Sequence, residues 1–133
     1  MSDDRVFDSR ALAGRVAVVT GAAGGLGQAI VKRLCAMDAR VVEVDWSYPD
    51  APAAVDTGFR FRCDIGHPES VQALGRFVQK QCGRCDVLVN NAAVSAPVVP
   101  LESFEIDQWD RIFSINLRGA LLCAQALVPM MFE

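Results

Sequence analysis

The sequence predicts an α/β protein built around a parallel β-sheet. Four short apolar segments alternate with stretches in which apolar residues recur every three or four positions, the pattern of strands alternating with helices. Two of the strand segments, Val16–Val19 and Val87–Val89, are apolar throughout, as expected for strands covered on both faces. Right-handed crossovers would arrange the four strands of such a doubly wound, Rossmann-like sheet in the order 3-2-1-4.

The first half of the chain supplies three of these strands. The expected elements are a strand at Val16–Thr20, a helix at Gly25–Met37, a strand at Arg40–Asp45 and a strand at Gly58–Cys63. In the last of these, alternating Phe and Arg residues indicate one buried and one solvated face. Two prolines close together in Trp46–Pro52 argue against a long helix there, and Ala53–Val55 would form a single turn at most.

Two helices and one strand are expected in the second half. A helix begins at Pro68, a residue suited to the first helical position, and ends at Gly83. The fourth strand is Cys85–Asn90. A long amphipathic helix then runs from about Asp107 to Met131, and Pro129 is expected to bend it or end it early.

Length, charge and hydropathy restrict the class of protein. A chain of 133 residues forms one domain at most, which we expect to span residues 15–133 behind a polar leader, residues 1–14. The net charge of −3 provides no basic field for nucleic acid, and no apolar run reaches the roughly 18 residues of a membrane span. The acidic start Met1–Arg5 is unlike a secretory signal, so the expectation is a soluble cytoplasmic protein.

Five cysteines are scattered through apolar segments, and an odd number in such positions favours reduced thiols over a disulfide framework. Cys82 and Cys85 form a C-x-x-C motif, but the chain offers no second ligand pair for zinc, and its one histidine, His67, is distant in sequence. A redox pair is activated at a helix N-terminus, whereas this motif falls where a helix ends. We therefore predict no metal site and a coincidental C-x-x-C.

A glycine-rich turn between the first strand and the first helix predicts an anion-binding site. Gly21, Gly24, Gly25 and Gly27 connect the buried strand Val16–Thr20 to the helix that follows. Free backbone N–H groups and the helix dipole place about half a positive charge at the start of a helix, and glycine lets a phosphate approach the backbone. We expect the phosphates of a nucleotide to bind here.

Asp45 ends the second strand, eighteen residues after Gly27. A carboxylate about 20 residues beyond the glycines is placed to accept hydrogen bonds from a ribose 2′-hydroxyl and would repel a 2′-phosphate. No Arg or Lys stands at Ala22, at Ala23 or directly after Asp45 to neutralise such a phosphate. NAD is therefore the expected cofactor, and NADP is less favoured.

Two other nucleotide-binding folds also use a glycine loop. The phosphate-binding loop of an NTPase requires Gly-Lys-Ser/Thr, whereas Gly27 is followed by Gln28 and Ala29, which excludes it. A methyltransferase-like domain pairs its loop with an acid at the end of strand two, but usually has a second acid where this chain has Val19 and Thr20. S-adenosylmethionine stays open as the alternative ligand.

Four motifs in order carry a resemblance to a known family. The glycine spacing reads Thr20-Gly21-x-x-x-Gly25-x-Gly27, Asp64 and Ile65 follow the third strand, Asn90-Asn-Ala-Ala93 follows the fourth, and Asn116 lies in the last helix. In this combination the stretch Arg15–Met131 resembles the cofactor-binding portion of the short-chain dehydrogenase/reductase family. The sheet of that family has further strands, so the resemblance implies that strands 5–7 are missing from these 133 residues.

The resemblance implies roles for most of these residues. The backbone from Gly21 to Gly27, including Ala23, Gly24 and Leu26, would wrap the pyrophosphate, and Asp64 with Ile65 beside it would contact the adenine. Asn91, Ala92 and Ala93 would line the side of the nicotinamide ribose. Ala93 replaces the usual glycine, and the segment after Asp45 is short for a crossover helix, which would leave one face of strands two and three thinly covered.

Asn116 lies on the apolar stripe of the last helix, between Phe113 and Leu117. A buried amide without a hydrogen bond costs about 1–3 kcal/mol, so this side chain must find partners. One interpretation is a core asparagine satisfied by a neighbouring carbonyl or by water. The resemblance implies instead a member of the catalytic set, which holds a water in a proton relay to the active lysine.

The tyrosine and lysine on which the family's reaction depends have no counterpart in this sequence. Their motif is Y-x-x-x-K, whereas the one tyrosine, Tyr48, is followed four residues later by Pro52, and the lysines are Lys32 and Lys80. The resemblance implies hydride transfer between NAD and a small secondary alcohol or ketone, by a homodimer or homotetramer. We expect the 133 residues to be the N-terminal half of such an oxidoreductase, inactive alone. The alternative is a non-catalytic nucleotide-binding module.

Overall fold

The computed structural model describes residues 8–132, so the first half of the predicted leader lies outside it and the domain boundary at residue 14 stays a prediction. The strands are β1 (Val16–Thr20), β2 (Arg40–Asp45), β3 (Ala53–Val55), β4 (Gly58–Arg62) and β5 (Val87–Val89). The α-helices are α1 (Gly25–Ala36), α2 (Pro68–Cys82), α3 (Ile106–Phe113) and α4 (Ala120–Leu127). A π-helical segment, Ser114–Gly119, joins α3 to α4, and 3-10 turns occupy Leu101–Ser103 and Val128–Phe132.

The sheet confirms the predicted fold class and strand order. Its strands follow the order β3-β4-β2-β1-β5, and the pairs β4–β2, β2–β1 and β1–β5 are parallel. The four strands expected from the sequence are β1, β2, β4 and β5, which therefore stand in the order 3-2-1-4. All of their carboxyl ends lie at one edge of the sheet, which is where ligands bind in folds of this kind.

Packing on both faces explains why the central strands are apolar. On one face Val42 packs in a core with Leu74 of α2 and Leu127 of α4. On the other face Val19 packs with Val31 of α1. The two faces are thus covered by different helices, as a doubly wound sheet requires.

The segment after β2 contains a strand that the sequence analysis missed. The expectation of a single turn at most over Ala53–Val55 is wrong, because these residues form β3, antiparallel to β4. The hairpin supplies hydrogen-bond partners for the outer edge of β4, which the prediction left unpaired. Gly58 permits the close approach of β4 to β2, since its φ is 142° and a Cβ there would lie 2.3 Å from the Val41 carbonyl oxygen.

The helices of the second half follow the prediction with one addition. α2 begins at Pro68 and ends where Gly83 adopts a left-handed φ of 71°, with its N–H bonded to the carbonyls of Val78 and Gln79. The last helix is continuous over Ile106–Phe132. Pro129 lies in its final 3-10 turn, so the helix tightens there. The π-helical segment has no counterpart in the prediction.

The same long helix qualifies the expectation that the chain holds no membrane-length apolar stretch. Among residues 8–132, Ile106–Phe132 is the one helix long and apolar enough to cross a membrane by length and composition, and 22% of its most apolar window is buried. A helix in the core of a soluble protein can have the same length and composition. In this protein the α4 part of the helix packs on α2, whereas Trp109, Phe113, Leu117 and Leu121 are exposed.

Asp86 fastens the start of β5 to β1. Its carboxylate accepts hydrogen bonds from the Arg84 guanidinium, from the Val16 N–H at 2.8 Å and from the Arg15 guanidinium at 3.0 Å. The Asp86 N–H in turn donates to the Val16 carbonyl at 2.8 Å. The bonds from Arg84, followed by those from Val16 and Arg15, outweigh burial and hold the pKa of Asp86 well below its usual value.

Asp86→Asn is expected to lower the free energy of unfolding at neutral pH by about 2 kcal/mol, the magnitude of hydrogen bonds to a charged group. Because the folded pKa lies below the unfolded one, this contribution is complete above about pH 4 and is lost as the pH falls through the folded pKa. Urea unfolding at a series of pH values measures both effects. Asp50→Asn is the control, since the ion pair of Asp50 with Arg62 is exposed. A difference between Asp86→Asn and wild type that stayed constant into strong acid would contradict the assignment.

Candidate nucleotide-binding site

A cavity of about 780 Å³ opens at the carboxyl edge of the sheet. It brings together eleven of the residues predicted to bind a cofactor: Gly21, Gly24, Gly25, Leu26, Gly27, Asp45, Asp64, Ile65, Asn91, Ala92 and Ala93. Ala23 and Asn116 do not line it. Their roles are therefore indirect in this structure, as their hydrogen bonds indicate.

The glycine turn is packed tightly against itself and against the loop after β5. Gly21 has a left-handed φ of 65°, and a Cβ there would lie 2.9 Å from the Ala92 Cα. A Cβ at Gly27 would lie 2.2 Å from the Gly21 carbonyl oxygen and 2.8 Å from the Ala22 Cα. These two glycines are thus required by the protein's own packing.

Gly25 is different, because nothing in the protein requires its side chain to be absent. A Cβ there would meet no atom within 4 Å. Gly25 is the first residue of α1, no side chain caps this helix start and no acidic residue lies in its first turn. The open backbone and the uncapped N–H groups have the form of a cradle for an anion, and they fit the pyrophosphate of a dinucleotide.

The carboxylate of Asp45 is 8% exposed and already has protein partners. It accepts hydrogen bonds from the Ala23 N–H at 3.0 Å and from the Ser47 N–H and hydroxyl at 3.0 and 2.7 Å. Ala23 therefore uses its N–H to hold Asp45, so this group is directed at the carboxylate and away from a phosphate. The result is an oriented acid at the end of β2, against the glycine turn.

Thr20 and Asn91 join the two halves of the cavity. The Thr20 hydroxyl accepts hydrogen bonds from the N–H groups of Asn91 and Ala92, at 3.1 and 3.0 Å, and donates to the Val89 carbonyl. The Asn91 side-chain amide donates to the carbonyls of Thr20 and Gly21 at 3.0 and 3.2 Å. Asn91 thus acts on the site by locking the loop after β5 to the glycine turn.

Asn116 makes a two-point contact with the backbone of Val94. Its side-chain oxygen accepts from the Val94 N–H and its nitrogen donates to the Val94 carbonyl, both at 2.8 Å. This is the satisfied asparagine of the first interpretation, and it ties the loop after β5 to the π-helical segment. Ser114 and Ile115 of that segment do line the cavity. A catalytic role for Asn116 stays a prediction.

The wall of the cavity around Asp64 contains residues that were not predicted from the sequence. Asp64 accepts from the Gly66 N–H at 3.0 Å, and its second oxygen lies 3.5 Å from Nε2 of His67. Trp46 and Arg111 also line the cavity. Trp46 could have been found from its position after Asp45, whereas no local pattern marks Arg111, which a long helix brings to the site.

The cysteines have the properties of structural thiols. Burial raises the pKa of Cys85 to about 11 and also raises the pKa of Cys82, which is the opposite of an activated redox pair. Within residues 8–132 no group of three or more metal-ligating side chains comes together. The raised pKa values argue against a redox role for the C-x-x-C motif.

A parallel α/β sheet with a glycine turn, an uncapped helix start and an acid at the end of β2 is the arrangement found in dinucleotide-binding folds. Comparison with known proteins makes this specific. The sequence model of the family described as short chain dehydrogenase matches residues 15–133, and the chain belongs to that family. The resemblance found in the motifs is thereby confirmed.

Three similar proteins illustrate the range of the family. D-threitol dehydrogenase of Mycolicibacterium smegmatis is 40% identical over 96% of this chain and 51% of its own length. The 2-dehydro-3-deoxy-L-rhamnonate dehydrogenase (NAD(+)) of Sphingomonas sp. is 33% identical over 96% of this chain and 52% of its own length. A metagenomic short-chain oxidoreductase solved in complex with NADP is 34% identical, with a TM-score of 0.77 over 91% of this chain and 58% of its own.

The chain spans about half the length of the curated relatives that it matches. Those relatives are named as dehydrogenases, so oxidoreductase chemistry belongs to the family. Since one similar protein is named for NAD(+) and another was solved with NADP, the family's cofactor is a nicotinamide dinucleotide of either kind.

Proposed function

We propose that this chain is the NAD-binding part of a short-chain dehydrogenase that oxidises a secondary alcohol or reduces the corresponding ketone. The observation that carries the proposal is the joint position of the uncapped α1 start and the oriented Asp45 on one cavity. The glycine turn would hold the pyrophosphate, Asp45 the adenosine ribose, and Asp64 with Ile65 the adenine. NAD would supply the acceptor or donor of the hydride.

The preference for NAD over NADP is supported by charge. Asp45 would repel a 2′-phosphate, and the cavity wall directly after it is Trp46, which carries no charge. Arg60 and Arg62, on the neighbouring strand, are engaged by Glu43 and Asp50. Arg62 is the register partner of Asp45, but its guanidinium is paired with Asp50. In the part of the chain that the structure describes, the one arginine that lines the cavity, Arg111, belongs to α3 and not to the strands beside Asp45.

The acid–base step needs residues that these 133 do not contain. Tyr48 does not line the cavity, and burial together with its bond to Glu43 raises its pKa to about 12, which makes it a poor general acid. We propose that a Tyr-x-x-x-Lys motif outside this stretch completes the site, in a cytoplasmic homo-oligomer. The five free cysteines are consistent with a reducing compartment.

The second candidate function is a nucleotide-binding module without catalysis. It is favoured by one observation, the absence of a usable tyrosine–lysine pair in the sequence. Both candidates predict binding of NAD by this chain, and they differ in whether turnover exists in any polypeptide that includes it.

Calorimetric titration of the 133-residue chain is expected to show that NAD and ADP-ribose bind with affinities within about threefold of each other. The reason is that ADP-ribose lacks only the nicotinamide ring, whereas the proposed phosphate, ribose and adenine contacts all belong to the described cavity. S-adenosylmethionine serves as the control and should not bind. Tight binding of S-adenosylmethionine, or no binding of NAD, would contradict the proposal, as would dehydrogenase turnover by this chain alone.

A further inference from the structure

A second charged residue, Glu43, is buried on β2 two positions before Asp45. Its side chain is 2% exposed and lies on the face of the sheet covered by α1. Glu43 is the register partner of Arg60 on the parallel neighbour β4. An ionised carboxylate in such a position is tolerated only where hydrogen bonds replace its hydration.

Four side chains provide those hydrogen bonds. Glu43 accepts from the hydroxyl of Thr57 at 2.6 Å, from Nε of Arg60 at 3.1 Å, from the hydroxyl of Tyr48 at 3.1 Å and from Nε2 of Gln28 at 3.3 Å. Burial alone would raise the pKa of Glu43, but these bonds outweigh it and lower the pKa. The carboxylate is therefore the charged centre of a satisfied network.

The network reaches both walls of the nucleotide cavity. Gln28, in the first turn of α1, also donates to the Ala22 carbonyl at 2.5 Å, inside the glycine turn. On the other side Tyr48 belongs to the segment that leaves β2 immediately after Asp45 and Trp46. Glu43 thus connects the phosphate-binding turn to the ribose-binding end of β2 without touching the cavity itself.

The need for such a connection follows from the fold. Within residues 8–132 no helix connects β2 to β4, and a cavity of about 610 Å³ separates α1 from the β3–β4 hairpin. Apolar packing that would normally hold this segment is therefore reduced. The guanidinium of Arg60 also lies over the ring of Tyr48, 5.4 Å from its centroid, which adds a second tie to the same network.

We propose that Glu43 is a positioning residue for the nucleotide site, which holds the glycine turn and the Asp45–Trp46 end of β2 at the separation that a dinucleotide requires. This rests on the proposed NAD binding. Glu43 makes no contact with the ligand and takes no part in hydride transfer. Its carboxylate holds, by hydrogen bonds, the segment that a crossover helix would otherwise hold by apolar packing.

The test compares Glu43→Gln with Asp56→Asn in the 133-residue chain. Both remove one negative charge beside the same 610 Å³ cavity, but Asp56 is exposed and is no part of the network. Glu43→Gln is expected to weaken ADP-ribose binding about tenfold. Adenosine, which spans one wall only, should change less than about twofold because its contacts do not depend on the separation of the walls.

Tyr48 provides an independent signal, since it is the one tyrosine of the chain. Its phenolate absorbance should appear at lower pH in Glu43→Gln than in wild type, because the carboxylate contributes to a pKa of about 12. This change reports the contact itself and does not depend on nucleotide binding.

Each outcome decides between the two proposals. If wild type binds no NAD or ADP-ribose, the proposed function fails and the role of Glu43 fails with it. If wild type binds ADP-ribose and Glu43→Gln binds it equally well, the positioning role alone is overturned. The same holds if the affinities of Glu43→Gln for adenosine and for ADP-ribose fall by the same factor. If Glu43→Gln does not fold, Tyr48→Phe, which removes one arm of the network, decides the matter. It should weaken ADP-ribose binding about threefold, and unchanged affinity would overturn the positioning role.

Discussion

Gly27→Ala is expected to eliminate nucleotide binding and to lower the free energy of unfolding by about 3 kcal/mol, the upper range for an overpacked site. The added methyl carbon would lie 2.2 Å from the Gly21 carbonyl oxygen. The turn cannot move aside, because Gly21 itself is close to the Ala92 Cα and is bonded through its carbonyl to the Asn91 amide. Thermal unfolding and NAD titration of the variant measure the two losses.

Gly25→Ala is the matched control. The same methyl carbon at this position meets no protein atom within 4 Å, so the melting temperature should be unchanged or slightly higher. NAD binding should still weaken, because the methyl group would occupy space against which a phosphate is expected to lie. A stable Gly27→Ala would refute the packing argument, and full NAD affinity in Gly25→Ala would refute the position of the phosphate.

Asp45→Asn is expected to shift the ratio of NAD to NADP affinity towards NADP by about a hundredfold. The amide loses roughly one charged hydrogen bond to the ribose, which lowers NAD affinity, and it removes the repulsion of a 2′-phosphate, which raises NADP affinity. The amide keeps one oxygen for the Ala23 N–H, but its NH2 group cannot accept from the Ser47 N–H, and this loss affects the binding of NAD and NADP alike. Parallel titrations with NAD and NADP give the ratio directly.

Asp64→Asn controls for net charge in the same cavity. It removes one negative charge from the wall, as Asp45→Asn does, but its contacts are with Gly66 and His67. Both affinities should change together, which leaves their ratio within about twofold of wild type. A ratio that responds equally to the two substitutions would mean that Asp45 is not the ribose ligand.

The regular part of the fold was predictable from local pattern. β1 and β5 are short apolar runs between helices, and α2 is bounded by Pro68 and Gly83, whose backbone preferences do not depend on the rest of the protein. The strand β3 was not predictable in this way. Ala53–Val55 has no alternation and follows two prolines, and it becomes a strand because the exposed edge of β4 lies beside it.

The candidate site was predictable where one short motif holds both partners of a contact. The glycine turn is such a motif, and the structure brings its glycines to the same cavity as Asp45 and Asp64. Contacts between distant segments were not predictable. The bonds of Glu43 join positions 28, 43, 48, 57 and 60, and the pairing of Asn116 with Val94 depends on how a loop meets a helix.

The hydroxyl of Thr20 affects where the cavity begins. By accepting two N–H groups of the loop after β5, it adds a last pair of hydrogen bonds to the β1–β5 ladder after the backbone of β1 has turned away. Beyond these bonds the two segments diverge, one into α1 on one face of the sheet and the other towards the last helix, whose α4 part packs on the opposite face. This divergence is a topological switch point, and a side chain rather than the backbone decides where the crevice begins.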